Sequence, residues 1–255
     1  MRNSLHPTIL FHFTKRKKAL FGILKETFKL SYARERIYGL DDHRDLGVPM
    51  VSFCDLKLHD IKDHISNYGS YGIGLTKEWA NSQGLNPVLY TNRHCPLIAD
   101  LMRAFTNVHN HIQEIPDPLE YAAMADNVLN IQNIYRYLKN YEGPLTRRGK
   151  IVDHHYRFAD EREWRYVPPL NTEGVMPFLP ISYIDTATKK TNWNRRINHA
   201  LSFQPDDIRY LIVKNDNDID QLLGYLQKVK SRFPEETIRR LSSRILTADQ
   251  INKDV

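Results

Sequence analysis

The sequence predicts an α+β fold in one domain spanning residues 1–255. Three observations point there. Short runs rich in β-branched and aromatic residues recur between amphipathic runs of helical period. A long helical stretch, about 96–142, is inserted between strand-like segments. No internal repeat or low-complexity linker divides the chain.

Taken in order, Thr8 to Phe13 reads as a buried strand. Lys15 to Phe28 follows as a helix, with Leu20, Ile23, Leu24 and Phe28 on one face and Thr14 as its expected N-cap. A loop containing Gly39, Asp41 and Asp42 leads to a strand from Pro49 to Cys54. Asp60 to Tyr68 has a helical pattern, and Tyr68 to Leu75 is a glycine- and tyrosine-rich entry into a third strand, where glycine permits close backbone approach. Thr76 caps a short helix containing Trp79, and Asn86 to Tyr90 is another short strand. Pro96 to about Tyr141 predicts two helices broken near Ile115-Pro116-Asp117-Pro118, the second ended by Gly143-Pro144. The basic loop Thr146 to Lys150 leads past His154 and His155 to the strand-like octapeptide Glu161 to Pro168. Met176 to Leu179 is a partner strand and Arg209 to Val213 a clear one. Asp216 to Phe233 and Glu235 to Ser243 are helices, and Asn252 to Val255 is a frayed tail.

Composition narrows the class. The apolar and charged fractions are those of an ordinary globular protein. No apolar run approaches the ~20 residues needed to span a bilayer, and no signal peptide is visible; the sparse cysteines fit a reducing cytoplasm, the expected location. Two cysteines, Cys54 and Cys95, without a CxxC pair, argue against a disulfide framework or a zinc site. The net charge of +6 is compatible with an anionic partner, nucleic acid or a dinucleotide.

The most informative stretch is Glu161-Arg162-Glu163-Trp164-Arg165-Tyr166-Val167-Pro168. Residues i and i+2 of a strand share a face, so Glu161 and Glu163 are expected to project into one space. Close like charges are costly unless a cation joins them or chemistry uses them. Arg165 falls on the Glu163 face and can neutralise it; a solvated acidic edge is the plainer alternative. A strand bearing His12, a second bearing Ser52 and a third bearing Glu163 can build a site for breaking the nicotinamide–ribose bond of NAD. That cleavage develops an oxocarbenium-like cation, which a carboxylate can stabilise. His12 would orient the ribose, Tyr68 and Tyr71 would offer aromatic walls, and Glu161 would position the nucleophile.

The ordered blocks His12-Phe13-Thr14, then Val48-Pro49-Met50-Val51-Ser52-Phe53-Cys54-Asp55, then Tyr68 to Trp79, then Asn86 to Tyr90, then Glu161 to Arg165 resemble the AbiGi family of abortive-infection proteins. The layout is more distantly similar to DarT-type toxins, ADP-ribosyltransferases that modify nucleic acid. The resemblance implies an ADP-ribosyltransferase-like split β-sheet with flanking helices and an NAD cleft between its halves. It implies an NAD-dependent phage-defence toxin held by a cognate antitoxin, with nucleic acid, RNA ahead of DNA, as acceptor. Carried over by position, His12, Thr14, Ser52 and Glu163 match the pattern; with Glu161 from the reading above, Glu163, His12, Ser52 and Glu161 are the catalytic candidates. His12, Phe13, Thr14, Ser52, Tyr68 and Tyr71 are those for binding NAD. An NAD-contacting arginine has three candidates: Arg34, Arg36 and Arg44.

Plainer readings stand beside these. His12 can be a satisfied core histidine, and Ser52 an ordinary strand serine. His154 and His155 point apart in a strand and read as surface residues rather than metal ligands. Lys15 to Lys18 reads as a solvated face or, with Arg147, Arg148 and Lys150, as a phosphate track. Asn192 to Arg196 offers either a stacking platform for single strands or a packed Trp193 with exposed arginines. Two alternatives to the toxin remain: a non-catalytic antitoxin or phage sensor that keeps the fold, and a protein-modifying transferase, which the Glu161-x-Glu163 pair would suit.

Overall fold

The computed structural model describes residues 7–147 and 150–254. In chain order the first half runs β1 (Ile9–Thr14), α1 (Lys17–Glu26), β2 (Phe28–Lys29), β3 (Ser31–Tyr38), β4 (His43–Cys54), α2 (Lys62–Tyr68), β5 (Tyr71–Thr76), α3 (Lys77–Ser82), β6 (Asn86–Pro87) and β7 (Leu89–Thr91). The second half runs α4 (Leu97–Gln113), α5 (Pro118–Gln132), β8 (Leu138–Asn140), β9 (Gly143–Arg147), β10 (Lys150–Tyr156), β11 (Glu163–Tyr166), α6 (Ala187–Arg196), β12 (Ala200–Leu201), β13 (Ile208–Val213), α7 (Ile219–Val229), α8 (Glu235–Ser242), β14 (Ile245–Thr247) and α9 (Ala248–Asp254). The expected α+β class holds.

The main sheet has strand order β14-β13-β5-β1-β4-β11-β6, with β3 also paired to β4. Only β13 and β14 run parallel within it. On one face Leu10, Val51, Phe53, Ile73 and Leu75 join Leu222 and Leu226 of α7 in the principal core. Each such buried aliphatic contributes roughly 1.5–3 kcal/mol. The other face carries Phe11, Phe13 and Cys54 against Ile61, Ile65 and Ile251.

The sheet is weakly joined at its centre. β1 and β5 pair along six positions, whereas β1 and β4 share one, Phe11↔Cys54. Beyond it the strands part, and the His12 side chain spans the gap, its Nδ1 2.8 Å from the Ser52 carbonyl oxygen.

Glycine explains how β5 lies so close to β1. Gly69 has φ +120°, and a Cβ there would sit 2.4 Å from the Thr14 carbonyl oxygen. A Cβ on Gly72 would sit 2.7 Å from the Phe13 ring. The glycine-tyrosine block is therefore a packing surface for the first strand.

Several element boundaries differ from expectation. Thr14 is not the N-cap of α1: it pairs with Tyr71 in the sheet, and the helix starts after an extended Arg16 without a side-chain cap. Thr76 does cap α3, accepting from the Trp79 N–H at 3.2 Å. The strand expected at Pro49 begins at His43 and forms a long hairpin with β3, whose charged Arg34-Glu35-Arg36 centre hides its strand character. The helical insertion is two helices broken at 114–117, but it ends at Gln132. Leu138–Asn140 then pairs in parallel with Leu89–Thr91, and Gly143-Pro144 opens a hairpin with β10 instead of ending a helix. Met176 to Leu179 forms no strand; Leu179 makes an isolated bridge to Gly47. Asn252 and Lys253 belong to α9, not to a frayed tail. Arg148 and Val255 lie outside the described residues. Among the described residues, no helix is long and apolar enough to cross a membrane.

Candidate functional site

Where β1 and β4 part, a cavity of about 220 Å³ opens. His12, Phe13, Ser52, Tyr68, Glu161 and Glu163 all line it, with Phe11, Glu35, Phe53, Cys54, His64 and Lys139. The register explains the convergence. Glu163 pairs with Cys54 and Arg165 with Ser52, so Glu163, Arg165, Ser52, Cys54 and Phe11 share one face. Trp164 falls on the other and packs at the edge of the principal core.

Glu163 is buried and fully engaged. Its Oε1 accepts from Ser52 Oγ at 2.7 Å and from Arg165 Nε at 2.8 Å. Its Oε2 accepts from Lys139 Nζ at 2.6 Å and from Arg165 Nη2 at 3.2 Å. Its backbone N–H donates to Tyr90 Oη at 2.9 Å. Burial alone would raise its pKa; Arg165 first and Lys139 next outweigh that and hold the carboxyl well below the ordinary range. Arg165 has no exposed side-chain surface and also reaches Glu35 Oε2 at 2.9 Å. Burial opposes the charge on Arg165 and on Lys139, but the surrounding glutamates raise both.

Glu161 reaches the same place by another route. It is not on the strand: it ends a 3₁₀ turn, Phe158–Glu161, followed by Arg162 in the left-handed region at φ 43°. That reversal, not strand periodicity, aims Glu161 at the cavity. Glu161 Oε2 accepts from Lys139 Nζ at 2.8 Å, and its Oε1 accepts from the hydroxyls of Tyr68 and Tyr156. One lysine thus bridges the two glutamates.

His12 sits on the opposite side chain parity but enters at the split, edge-on to Phe28 at 5.2 Å. Burial lowers its pKa against the opposing pull of the Ser52 carbonyl. A neutral imidazole that donates Nδ1–H to a carbonyl has Nε2 as its acceptor. His64 stacks on Tyr68 at 4.3 Å, and burial pushes its pKa down to about 4 against the pull of Glu161. Burial and Glu161 push Tyr156 up to about 12.

Not every expected residue arrives. Tyr71 and Thr14 do not line the cavity; the Tyr71 hydroxyl donates to Asp218 at 2.9 Å instead. Arg34 and Arg36 line an adjoining cavity of about 530 Å³ that shares Glu35, Tyr68, Lys139 and Glu161 with the first. Arg44 lines a separate one. Lys17 is held by Asp218 and Gln221, leaving Lys15, Arg16 and Lys18 exposed. Trp193 is packed between Tyr32, Tyr183 and Arg196 rather than displayed. His154 and His155 are exposed on the β9–β10 hairpin.

Sequence reasoning missed Lys139, Glu35, His64 and Tyr156. The one available signal for Lys139 was its place between Leu138 and Asn140, just past the helical period.

A protein-family sequence model described as "Putative abortive phage resistance protein AbiGi, antitoxin" matches residues 26–214. The chain belongs to the AbiGi family. It is also 25% identical over 221 residues to the abortive phage resistance protein AbiGi of Lactococcus lactis subsp. cremoris, covering 81% of this chain and 88% of that one. No solved structure matches. The AbiGi match takes in Ser52, Lys139, Glu161, Glu163 and Arg165, while His12 precedes it.

Proposed function

We propose that this AbiGi chain is an NAD-dependent ADP-ribosyltransferase with an ADP-ribosyltransferase-like split sheet. Its acceptor is nucleic acid, RNA ahead of DNA, and a cognate antitoxin restrains it in the cell. The observation that carries this reading is the meeting of His12, Ser52 and Glu163, from three separate strands, on one cavity at the split of the sheet.

The residues present suit NAD. The cavity continues into its neighbour along shared walls, which gives a groove of ligand size. Arg34, and Arg36 beside its partner Asp45, supply cations on the neighbouring walls for a pyrophosphate. The stacked His64–Tyr68 pair offers a flat surface for the nicotinamide. Nε2 of His12 accepts from a ribose hydroxyl, and Ser52 fixes the Glu163 carboxylate through its hydroxyl.

Charge decides what the site does next. Three carboxylates, Glu35, Glu161 and Glu163, meet two cations, Lys139 and Arg165, so the cluster carries one formal negative charge. A buried net negative charge stabilises the positive charge that develops on ribose as nicotinamide leaves with the bonding pair. Glu161, the second carboxylate, takes the proton lost by the attacking base. An exposed single strand presents its bases to such a cleft, which favours RNA.

A second reading has its own support. Both oxygens of Glu163 are occupied by cations, and the family description includes the word antitoxin. On that reading the chain keeps the fold, does no chemistry and binds a toxin. Incubation with labelled NAD, followed by separation of RNA, DNA and protein, tests the proposal. Label in RNA and free nicotinamide are expected, both lost in a folded Glu163→Gln variant. Folded wild type that transfers no label to any pool refutes the enzyme reading; transfer confined to protein refutes the acceptor.

A further inference from the structure

The helical insertion carries a second cavity, of about 430 Å³, lined by Arg44, Leu46, Phe105, Thr106, His109, Gln132, Tyr135 and Phe178. It shares no lining residue with the NAD-site cavity. Leu46, Phe105, Phe178 and the Tyr135 ring make its walls apolar, while its ionisable lining residues are Arg44, His109 and the Tyr135 hydroxyl, with no carboxylate among the described residues. Two buried donors in the adjacent turn Asn133–Arg136 lack partners among the described residues: the Tyr135 hydroxyl and Arg136 Nε. Tyr135 is 5% exposed. Arg136 is 1% exposed and lies 5.9 Å from the centroid of Phe178, a cavity wall. Its guanidinium donates to Pro168 O at 2.6 Å and Asn133 Oδ1 at 3.1 Å, and burial lowers its pKa to about 10. Of the two, only Tyr135 lines the cavity, and a buried hydroxyl without an acceptor is a costly arrangement that a carboxylate oxygen relieves.

We infer that this cavity binds an apolar carboxylic acid, its hydrocarbon body among Phe105, Tyr135 and Phe178 and its carboxylate accepting from Arg44 and the Tyr135 hydroxyl. The chemistry belongs equally to a free aryl or alkyl acid and to the C-terminal carboxylate of a polypeptide. No transfer step is involved, and the inference is independent of the NAD proposal.

Titration calorimetry on the full chain, with two acids and their neutral amides, tests it. The probes are 4-phenylbutyrate against 4-phenylbutyramide, and N-acetyl-leucylphenylalanine against its C-terminal amide. At least one acid is expected to bind about tenfold more tightly than its amide, as a charge-assisted bond requires. The better acid identifies the source: free small acid or chain terminus. Tyr135→Phe is expected to weaken that acid about threefold to tenfold. The same change raises the Tm of the ligand-free protein, because it deletes a buried hydroxyl that has no partner. A purely structural tyrosine would not give those opposite signs. Arg44→Gln, at an exposed position, is expected to weaken the acid about tenfold with unchanged Tm. The inference is overturned if neither acid binds in the millimolar range, if acid and amide bind equally, or if both variants leave the affinity unchanged.

Discussion

Replacing Glu163 by Gln removes the charge that Arg165 and Lys139 surround, and its cost can be worked from the contacts. Arg165 is fully buried and loses its two bonds to a carboxylate, at 2.8 and 3.2 Å. Lys139 loses one at 2.6 Å. Removing one partner of a buried ion pair costs about 3–5 kcal/mol, because the other charge stays buried. Three contacts soften that here: Glu35 still accepts from Arg165, Glu161 still accepts from Lys139, and the Gln carbonyl can still accept from Ser52. The expected loss is therefore near the lower limit, about 3 kcal/mol. With a urea m-value of about 3 kcal/mol/M for a chain of this size, the midpoint falls by about 1 M. Circular dichroism during urea titration at pH 7 reads it. A loss below about 1 kcal/mol would mean that the pair is not desolvated, and would refute the charge argument. A native state holding about 5–15 kcal/mol survives the change, so abolished label transfer in this variant is assigned to chemistry only when the far-ultraviolet signal is retained.

Acid should destabilise the chain before its carboxylates titrate. His64 has a folded pKa of about 4 and His12 is lowered too, against about 6.5 when unfolded. Between those limits the unfolded chain binds more protons, so stability rises with pH and falls as pH drops from about 6.5 toward 4, by at most about 1.4 kcal/mol per pH unit for each histidine. Urea midpoints from pH 7 to 4.5 should decline and His64→Gln should flatten them; a level profile rejects the assignment. The Glu163 contribution is present above the unfolded glutamate value and is lost only at lower pH, as its depressed folded pKa is passed. Gly69→Ala should cost about 3 kcal/mol or more, combining a positive φ with a backbone clash. Gly84→Ala has φ +72° but open space, so it should cost about 1 kcal/mol; equal Tm losses would sink the steric argument. Tyr166→Phe deletes the 2.6 Å bond to His199 and should lower stability by about 1 kcal/mol in the same titration.

Much of the central sheet was legible because its strands follow local rules. Thr8 to Phe13, Pro49 to Cys54 and Arg209 to Val213 are runs of β-branched and aromatic residues; the first and last mark observed strands to within a residue, and the middle one marks only the second half of β4. Arg165 beside Glu163 was legible from period-two alternation alone, and the 2.8 Å bond bears it out. Glu161 was placed beside Glu163 for the wrong reason: strand geometry was expected, while a 3₁₀ turn and a left-handed Arg162 achieve the same meeting. Lys139 was hidden because no spacing rule links it to carboxylates 22 and 24 residues away. Its short parallel pairing with Leu89–Thr91 depends on where the helical insertion returns the chain. Strand β3 was hidden by its charges, one of which, Glu35, proves to be part of the cluster.

Lys139 is the residue that joins these separate pieces. It stands on a three-residue strand fixed by the return of the insertion, so the insertion is more than an appendage to the sheet. Its ammonium bonds Glu161 at 2.8 Å and Glu163 at 2.6 Å, so the two carboxylates share one counter-ion instead of meeting as bare like charges. The Tyr68 hydroxyl completes the arrangement from the other side, and Tyr68 is delivered there by the helix that precedes Gly69. The glycine-tyrosine block, the Glu-x-Glu turn and the end of the insertion therefore specify one object, a carboxylate pair bridged by one lysine beside His12. A fold that needed only a stable interior could fill this volume with aliphatic side chains at lower cost. On the proposed transferase reading, those charges are retained to meet the positive charge that develops on the ribose.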